Sequence, residues 1–583
     1  MRKQLSRQVM ASVLVVFGLL AVAGCAARRG PAVPAPEPVP IKIPEPLEIA
    51  SPQVLGYLAV PDLETAIGRI EEIAAEFAPD QIERGMLKGR LGQMLGDPNL
   101  AYLDGAMPLV VMLLRADAPT EPPPVAAFVS YTKDQPYAGT AERWGVASRI
   151  VNDVLIASNA HDTLDTAEAL VPLYRTIRAA AVTSDVRLTF CPLRLTEIYG
   201  ETVRAWIDTI VGSMGALAAM SQPGGSPEQG AWLAKILKLE MNVGLTVLGD
   251  IAVVQSDISF DTEAISVNRI VVARRGSRLA DLFSGPAVGG NYAIGLLPEP
   301  GFLMYAAQVD PGRLSDFIVD VIGRLSEDPD AADILTPEVI ALYEDMGTWL
   351  TGDMAAIVRT AGDSPFISES AMGISDAAMS LEMIERGTSL MAPGSTFHTM
   401  YREMGMDLST TLEEEVRYHA GVPVHRVKMS LEMPTAPEGW ATQMQGMVKD
   451  TEFAFAGGYY LAAQDPAALD RAIDKALAGE GTDAVTFHAR DLFGPGHHVY
   501  VDLEFVGLMK ALMATVPSGM PNPLEPILEQ VTAAEPAAYA MAWSDGRAQD
   551  TLRIPLSPFI EMVAAVRGTG RRPEVKATAS GGE

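Results

Sequence analysis

The chain has 583 residues, 48% of them hydrophobic and 20% charged, and carries a formal net charge of −29. That is enough apolar chain for a large core or several domains, and too little charge for a disordered protein. Nucleic-acid binding depends on Lys and Arg neutralising phosphate, so acidity of this size speaks against a nucleic-acid partner. Only two cysteines, Cys25 and Cys191, are present.

At the start, Arg2, Lys3 and Arg7 form a basic region, and residues 9–23 form an uncharged apolar stretch. This is the pattern of a secretory signal, too short for a membrane-spanning helix. Small residues then lead into a cysteine in Val22-Ala23-Gly24-Cys25. That run resembles the signal peptidase II site of bacterial lipoproteins. The resemblance implies cleavage between Gly24 and Cys25, removal of residues 1–24, and acylation of Cys25, with the acyl groups as the membrane contact. Ala26 stands where an Asp would favour inner-membrane retention, which implies the outer membrane with the body facing the periplasm. Cys191 is then left without a partner. It sits in the alternating run Val186-Arg187-Leu188-Thr189-Phe190-Cys191-Pro192 and reads as a small buried apolar residue.

Residues 25–52 comprise the lipidated cysteine and a tether with prolines at 31, 34, 36, 38, 40, 44, 46 and 52. Such a segment favours polyproline II. At ~3.1 Å per residue, full extension would stand the body roughly 80 Å from the membrane. The far end, 568–583, is rich in Gly, Ser, Ala and charge and reads as a disordered tail.

Between these ends, short apolar strands run repeatedly into a capping residue and an amphipathic helix. Asp62, Asp310, Asp465 and Asp502 are the expected N-caps, with Pro at the first helical position after Asp310 and Asp465. A Gly-containing turn before an apolar strand recurs at Leu103-Asp104-Gly105, Leu248-Gly249-Asp250 and Leu350-Thr351-Gly352-Asp353. Partner strands are expected at 125–131, 264–273 and 375–383. Strand, helix, turn and paired strands start near 55, 185, 300 and 497. This predicts an α+β fold of diverged repeated modules, antiparallel sheet with amphipathic helices packed on one face. The expected modules are 53–182, 183–296, 297–482 and 483–567. The pattern, with the segment Gly457-Gly458-Tyr459-Tyr460-Leu461-Ala462-Ala463-Gln464-Asp465-Pro466, resembles a group of uncharacterised exported bacterial proteins. The resemblance implies the same fold and carries no catalytic residue.

Chemistry is sparse. There is no Gly-x-Ser-x-Gly, no His-Glu-x-x-His and no phosphate-binding glycine loop. Three of the seven histidines, His488, His497 and His498, lie close to Asp502 and Glu504 and are the candidate zinc ligands. Adjacent His497 and His498 would point to opposite faces of a strand, which argues against that site. His398 with Met400, Met404 and Met406 is a copper-like set whose spacing core packing also produces. Arg274-Arg275-Gly276-Ser277-Arg278 is the densest basic patch and reads as a solvated turn.

The expectation is a membrane-anchored, non-enzymatic binding or scaffolding protein of the cell envelope, with an envelope protein as partner and no cofactor. The alternatives are a carrier of a lipid or other apolar ligand, lined by Met- and Leu-rich helices, and a metal-dependent hydrolase using His488, His497 and Glu504.

Overall fold

The computed structural model describes residues 41–570 apart from internal segments, the largest being 96–106, 132–146, 433–447 and 516–523. The signal, Cys25 and residues 571–583 lie outside the described residues; 568–570 end the helix Ser557–Gly570.

The first half of the chain supplies β1 (Val54–Val60), β2 (Leu109–Leu114), β3 (Val125–Ser130), β4 (Ala147–Val151), β5 (Val154–Ser158), β6 (Val186–Phe190), β7 (Ile251–Phe260) and β8 (Ala264–Ala273). The second supplies β9 (Leu303–Gln308), β10 (Leu350–Ala361), β11 (Ser364–Ile374), β12 (Asp407–His419), β13 (Val422–Glu432), β14 (Thr451–Ala456), β15 (Tyr459–Ala463), β16 (Val499–Leu503), β17 (Ala537–Ser544) and β18 (Arg547–Pro555). All eighteen belong to one sheet. Every pairing is antiparallel, and together they run β4-β5-β3-β2-β1-β6-β7-β8-β18-β17-β16-β9-β10-β11-β15-β14-β13-β12.

That order is one strand arrangement used twice, back to back. Outward from the β8–β18 seam, β7, β6, β1, β2, β3, β5 and β4 match β17, β16, β9, β10, β11, β15 and β14. The hairpin β12–β13 is an addition of the second repeat. Strands β1, β6, β9 and β16 stand at the four starts marked in the sequence. The fold is α+β, with repeated antiparallel modules and amphipathic helices packed against them.

Local chemistry explains the opening of each repeat. After β1, Asp62 accepts from Thr65 N at 2.9 Å and starts the helix Leu63–Phe77. After β9, Asp310 accepts from Arg313 N at 3.1 Å and starts Pro311–Leu325, a helix of the same 15-residue length. Asp465 accepts from Ala467 N at 3.1 Å at the start of Pro466–Ala478. Each oxygen satisfies an amide that the helix leaves without a partner.

The helices divide between the two sheet faces rather than gathering on one. Tyr57 and Ala59 of β1 pack with Leu164, Ala167, Val171 and Tyr174, whereas Leu58 and Val60 meet Leu63, Ala66 and Ile67. The second repeat does the same, with Met304 and Ala306 against Ala468, Leu469 and Ile473, and Ala307 and Val309 against Leu314 and Phe317.

Two further expectations are corrected. Residues 375–383 are not the partner strand of β10; β11 is, and Asp376 caps the helix Ala377–Ser389 by accepting from Met379 N. The apolar spacing there is helical, with Met383 buried one turn beyond Met379. Gly352 lies not in a turn before β10 but inside it, at the register shift between Leu350 and Met354; its φ is +82°, and a Cβ there would lie 2.0 Å from Val309 O, so the position admits only glycine.

The second correction concerns the tether, whose last part is not a free spacer. Residues 41–52 are irregular but laid on the body as a strap, with Ile43 and Ile49 buried. Arg194 Nη1 donates to Ser51 O and Val54 O at 2.8 and 3.0 Å, and its Nη2 to Ile49 O at 2.9 Å. Leu47 N donates to Gln255 Oε1, and Arg547 Nη2 donates to Glu45 Oε1 at 2.8 Å. Charged donors hold such carbonyls more strongly than neutral ones. Arg194→Ala is therefore expected to cost about 2 kcal/mol of local stability and to open residues 41–52 to proteolysis while the sheet stays resistant. Unchanged protection of the strap would show that Arg194 does not hold it.

Candidate functional site

The histidine cluster does not form a site. Asp502, on β16 and 2% exposed, does not cap the helix that follows it. Its carboxylate turns back to accept from His488 N at 2.7 Å and Ala489 N at 2.8 Å, capping the preceding helix His488–Phe493. Glu504 caps Phe505–Ala514 instead, accepting from Gly507 N at 3.0 Å. Both carboxylates are thus committed to backbone amides. His497 is held edge-on to Tyr500, with Nδ1 3.3 Å from Gly494 O. The ring of His498 stacks on Trp543 with centroids 3.9 Å apart, and its Nδ1 accepts from Trp543 N at 3.2 Å. Among the described residues no three or more His, Cys, Asp or Glu are placed to hold a metal.

The other sequence candidates are likewise absorbed by structure. His398 Nδ1 accepts from Gly394 N and its Nε2 lies 2.8 Å from Asp407 Oδ1; Met400 is buried, and Met404 lies outside the described residues. Cys191 is a free, buried thiol whose pKa burial pushes up. In the basic patch, Arg274 pairs with the fully buried Asp250, and Arg278 with Asp281 and Asp316. A Ser-x-x-Lys spacing at Ser130-Tyr131-Thr132-Lys133 escapes the motif reading above. Its serine ends β3, buried, with Oγ 3.1 Å from both Tyr174 Oη and Arg178 Nη1, and Lys133 lies outside the described residues.

What sequence reasoning missed is a cavity. Between β6 and β7 the first repeat inserts two long helices, Pro192–Ser221 and Pro227–Leu248. Val203, Ile207 and Val211 of the first pack on Leu237, Met241 and Leu245 of the second. The adjacent stripe Leu195, Tyr199, Thr202 and Trp206, at helical spacing, faces a cavity of about 590 Å³. Phe190, Pro192, Pro122, Pro123, Leu245 and Leu248 complete its lining. Tyr199 is pinned by its hydroxyl, which accepts from Ala116 N at 3.1 Å. Trp206 is 60% exposed and Leu248 39%, so two of the larger apolar side chains at the surface line the same cavity.

No protein-family model matches the chain, and neither does any curated protein or solved structure.

The state of His498 gives a pH test. Burial, with neighbouring His497, lowers its pKa from 6.5 to about 4. The fold holds the ring neutral while the unfolded chain protonates it, so stability is lost as pH falls from about 6.5 toward 4. The full loss is about 3 kcal/mol. His498→Gln, which keeps an acceptor for Trp543 N, is expected to flatten the acid side of the curve of urea midpoint against pH. An unchanged slope would show that His498 does not drive it.

Proposed function

We propose that this protein is a lipid-anchored, non-enzymatic binding protein of the bacterial envelope that takes an apolar guest into the cavity at the foot of the helical pair. The anchor in this reading is acylated Cys25, the membrane is the outer membrane, and the body works in the periplasm. The observation that carries the binding reading is the cavity. Its volume falls within the ~300–1,000 Å³ of small-molecule sites, and its walls are aliphatic, aromatic and proline side chains with few polar groups. Exposed apolar surface brought to one opening is the usual mark of an interaction site. The helical pair has no counterpart of its length in the second repeat, where Phe505–Ala514 occupies the matching place between β16 and β17. Function grafted onto one copy of a duplicated scaffold fits that asymmetry. The metal-dependent alternative loses its support because His488, His497 and Glu504 are not brought together and the Glu504 carboxylate is a helix cap.

The neutral dye N-phenyl-1-naphthylamine, which brightens in apolar surroundings, is expected to bind the purified full chain at one saturable site. Thr202→Trp places a large ring at an exposed lining position and is expected to weaken dye binding at least tenfold while leaving stability within about 0.5 kcal/mol. Dye binding that is absent in the parent, or unaffected by Thr202→Trp, would contradict the assignment.

A further inference from the structure

The cavity lining says what kind of guest it takes, an inference that rests on the binding reading above. Glu121 is the one ionised residue in the lining, and no lysine or arginine lines the cavity. It is exposed at the rim, and its carboxylate makes no ion pair with any described residue. Arg194, which lies next to Leu195 in the chain, has its guanidinium occupied by the strap carbonyls of Ile49, Ser51 and Val54. Trp206 lines the same cavity, 60% exposed, and Tyr199, about two helical turns before it, is buried. None of the lining side chains carries a buried polar atom lacking a partner, so the inner part of a guest meets no group that asks for a hydrogen bond.

These facts divide the site in two. The interior favours hydrocarbon, since its walls are largely apolar and a polar group placed there would lose water for few partners. The lining adds the aromatic face of Trp206 and the carboxylate of Glu121, which pairs with no described residue; such a pair recognises an ammonium group through cation–π attraction and ion pairing. An anionic head would meet Glu121 and the field of a chain with net charge −29. We propose that the guest is a single-chain cationic amphiphile, its aliphatic chain in the cavity and an ammonium head between Glu121 and Trp206.

The test displaces N-phenyl-1-naphthylamine from the full chain with dodecylammonium, dodecanol and dodecanoate, each below its micelle concentration. Dodecylammonium is expected to bind about fivefold more tightly than dodecanol and dodecanoate more weakly than either, from an exposed charge pair and a cation–π contact together. Glu121→Gln is expected to bring dodecylammonium to within about twofold of dodecanol, leaving dodecanol unchanged. Equal binding of all three, or preference for dodecanoate, overturns the head-group assignment while the cavity reading stands. Failure of all three to displace a bound dye overturns both. Displacement by an apolar peptide with a free amino terminus, but not by dodecylammonium, overturns the amphiphile in favour of a protein partner.

Discussion

The whole architecture hangs on the seam between β8 and β18. Nine consecutive residue pairs, from Ala264↔Pro555 to Val272↔Arg547, join the last strand of one repeat to the last strand of the other. Arg269 donates to Asp550 across it at 2.8 Å. At one end the seam is locked by Asp250, whose fully buried carboxylate takes Arg274 from the first repeat and Arg324 from the second at 2.7 and 2.6 Å. A buried carboxylate is tolerable only when paired, and here two cations from different repeats supply the pairing. The strap adds a second clasp. It runs from Arg547 on β18 past Gln255 on β7 to Arg194, so residues 41–52 touch both repeats.

With the repeats fixed, the inserted helical pair gains a second support. Lys238, on its returning helix, sits between Asp208, Asp328 and Asp330 at 3.3, 3.4 and 3.0 Å, the last two lying beyond the second repeat's first helix. The pair thus leans on the second repeat while its root grows from β6 of the first. The cavity lies at that root, where Phe190 ends the strand and Pro192 begins the helix. Rigid sheet beneath and braced helices above are what hold apolar walls apart instead of letting them collapse together.

Much of the scaffold was legible because its signals are local. Asp62, Asp310 and Asp465 each cap the next helix by accepting from an amide two or three residues on, so a short segment carries all the information needed. Asp502 looked identical in sequence, yet its partners His488 N and Ala489 N lie 14 and 13 residues back, reached only once β16 is in the sheet. The histidines near it cluster in sequence but, in the bend just before β16, meet different neighbours, Tyr500 for His497 and Trp543 for His498. The cavity was illegible for the opposite reason. Its walls come from Pro122, Phe190, Tyr199 and Leu245, spread over more than a hundred residues and each an ordinary core type. Pro122-Pro123-Pro124 and the solvent-facing Trp206 of an otherwise amphipathic helix were the available hints. The strap was hidden too, because proline-rich composition reports the absence of helix and sheet and says nothing about docking.

The central claim is that the cavity between β6 and the helical pair holds an apolar guest in its native setting. Native mass spectrometry of the full-length protein, purified gently from the cells that make it, tests it most directly. The account predicts a bound small molecule whose mass is carried by the parent and missing from Thr202→Trp. A parent protein that carries no additional mass, or one whose bound mass survives Thr202→Trp, would contradict it.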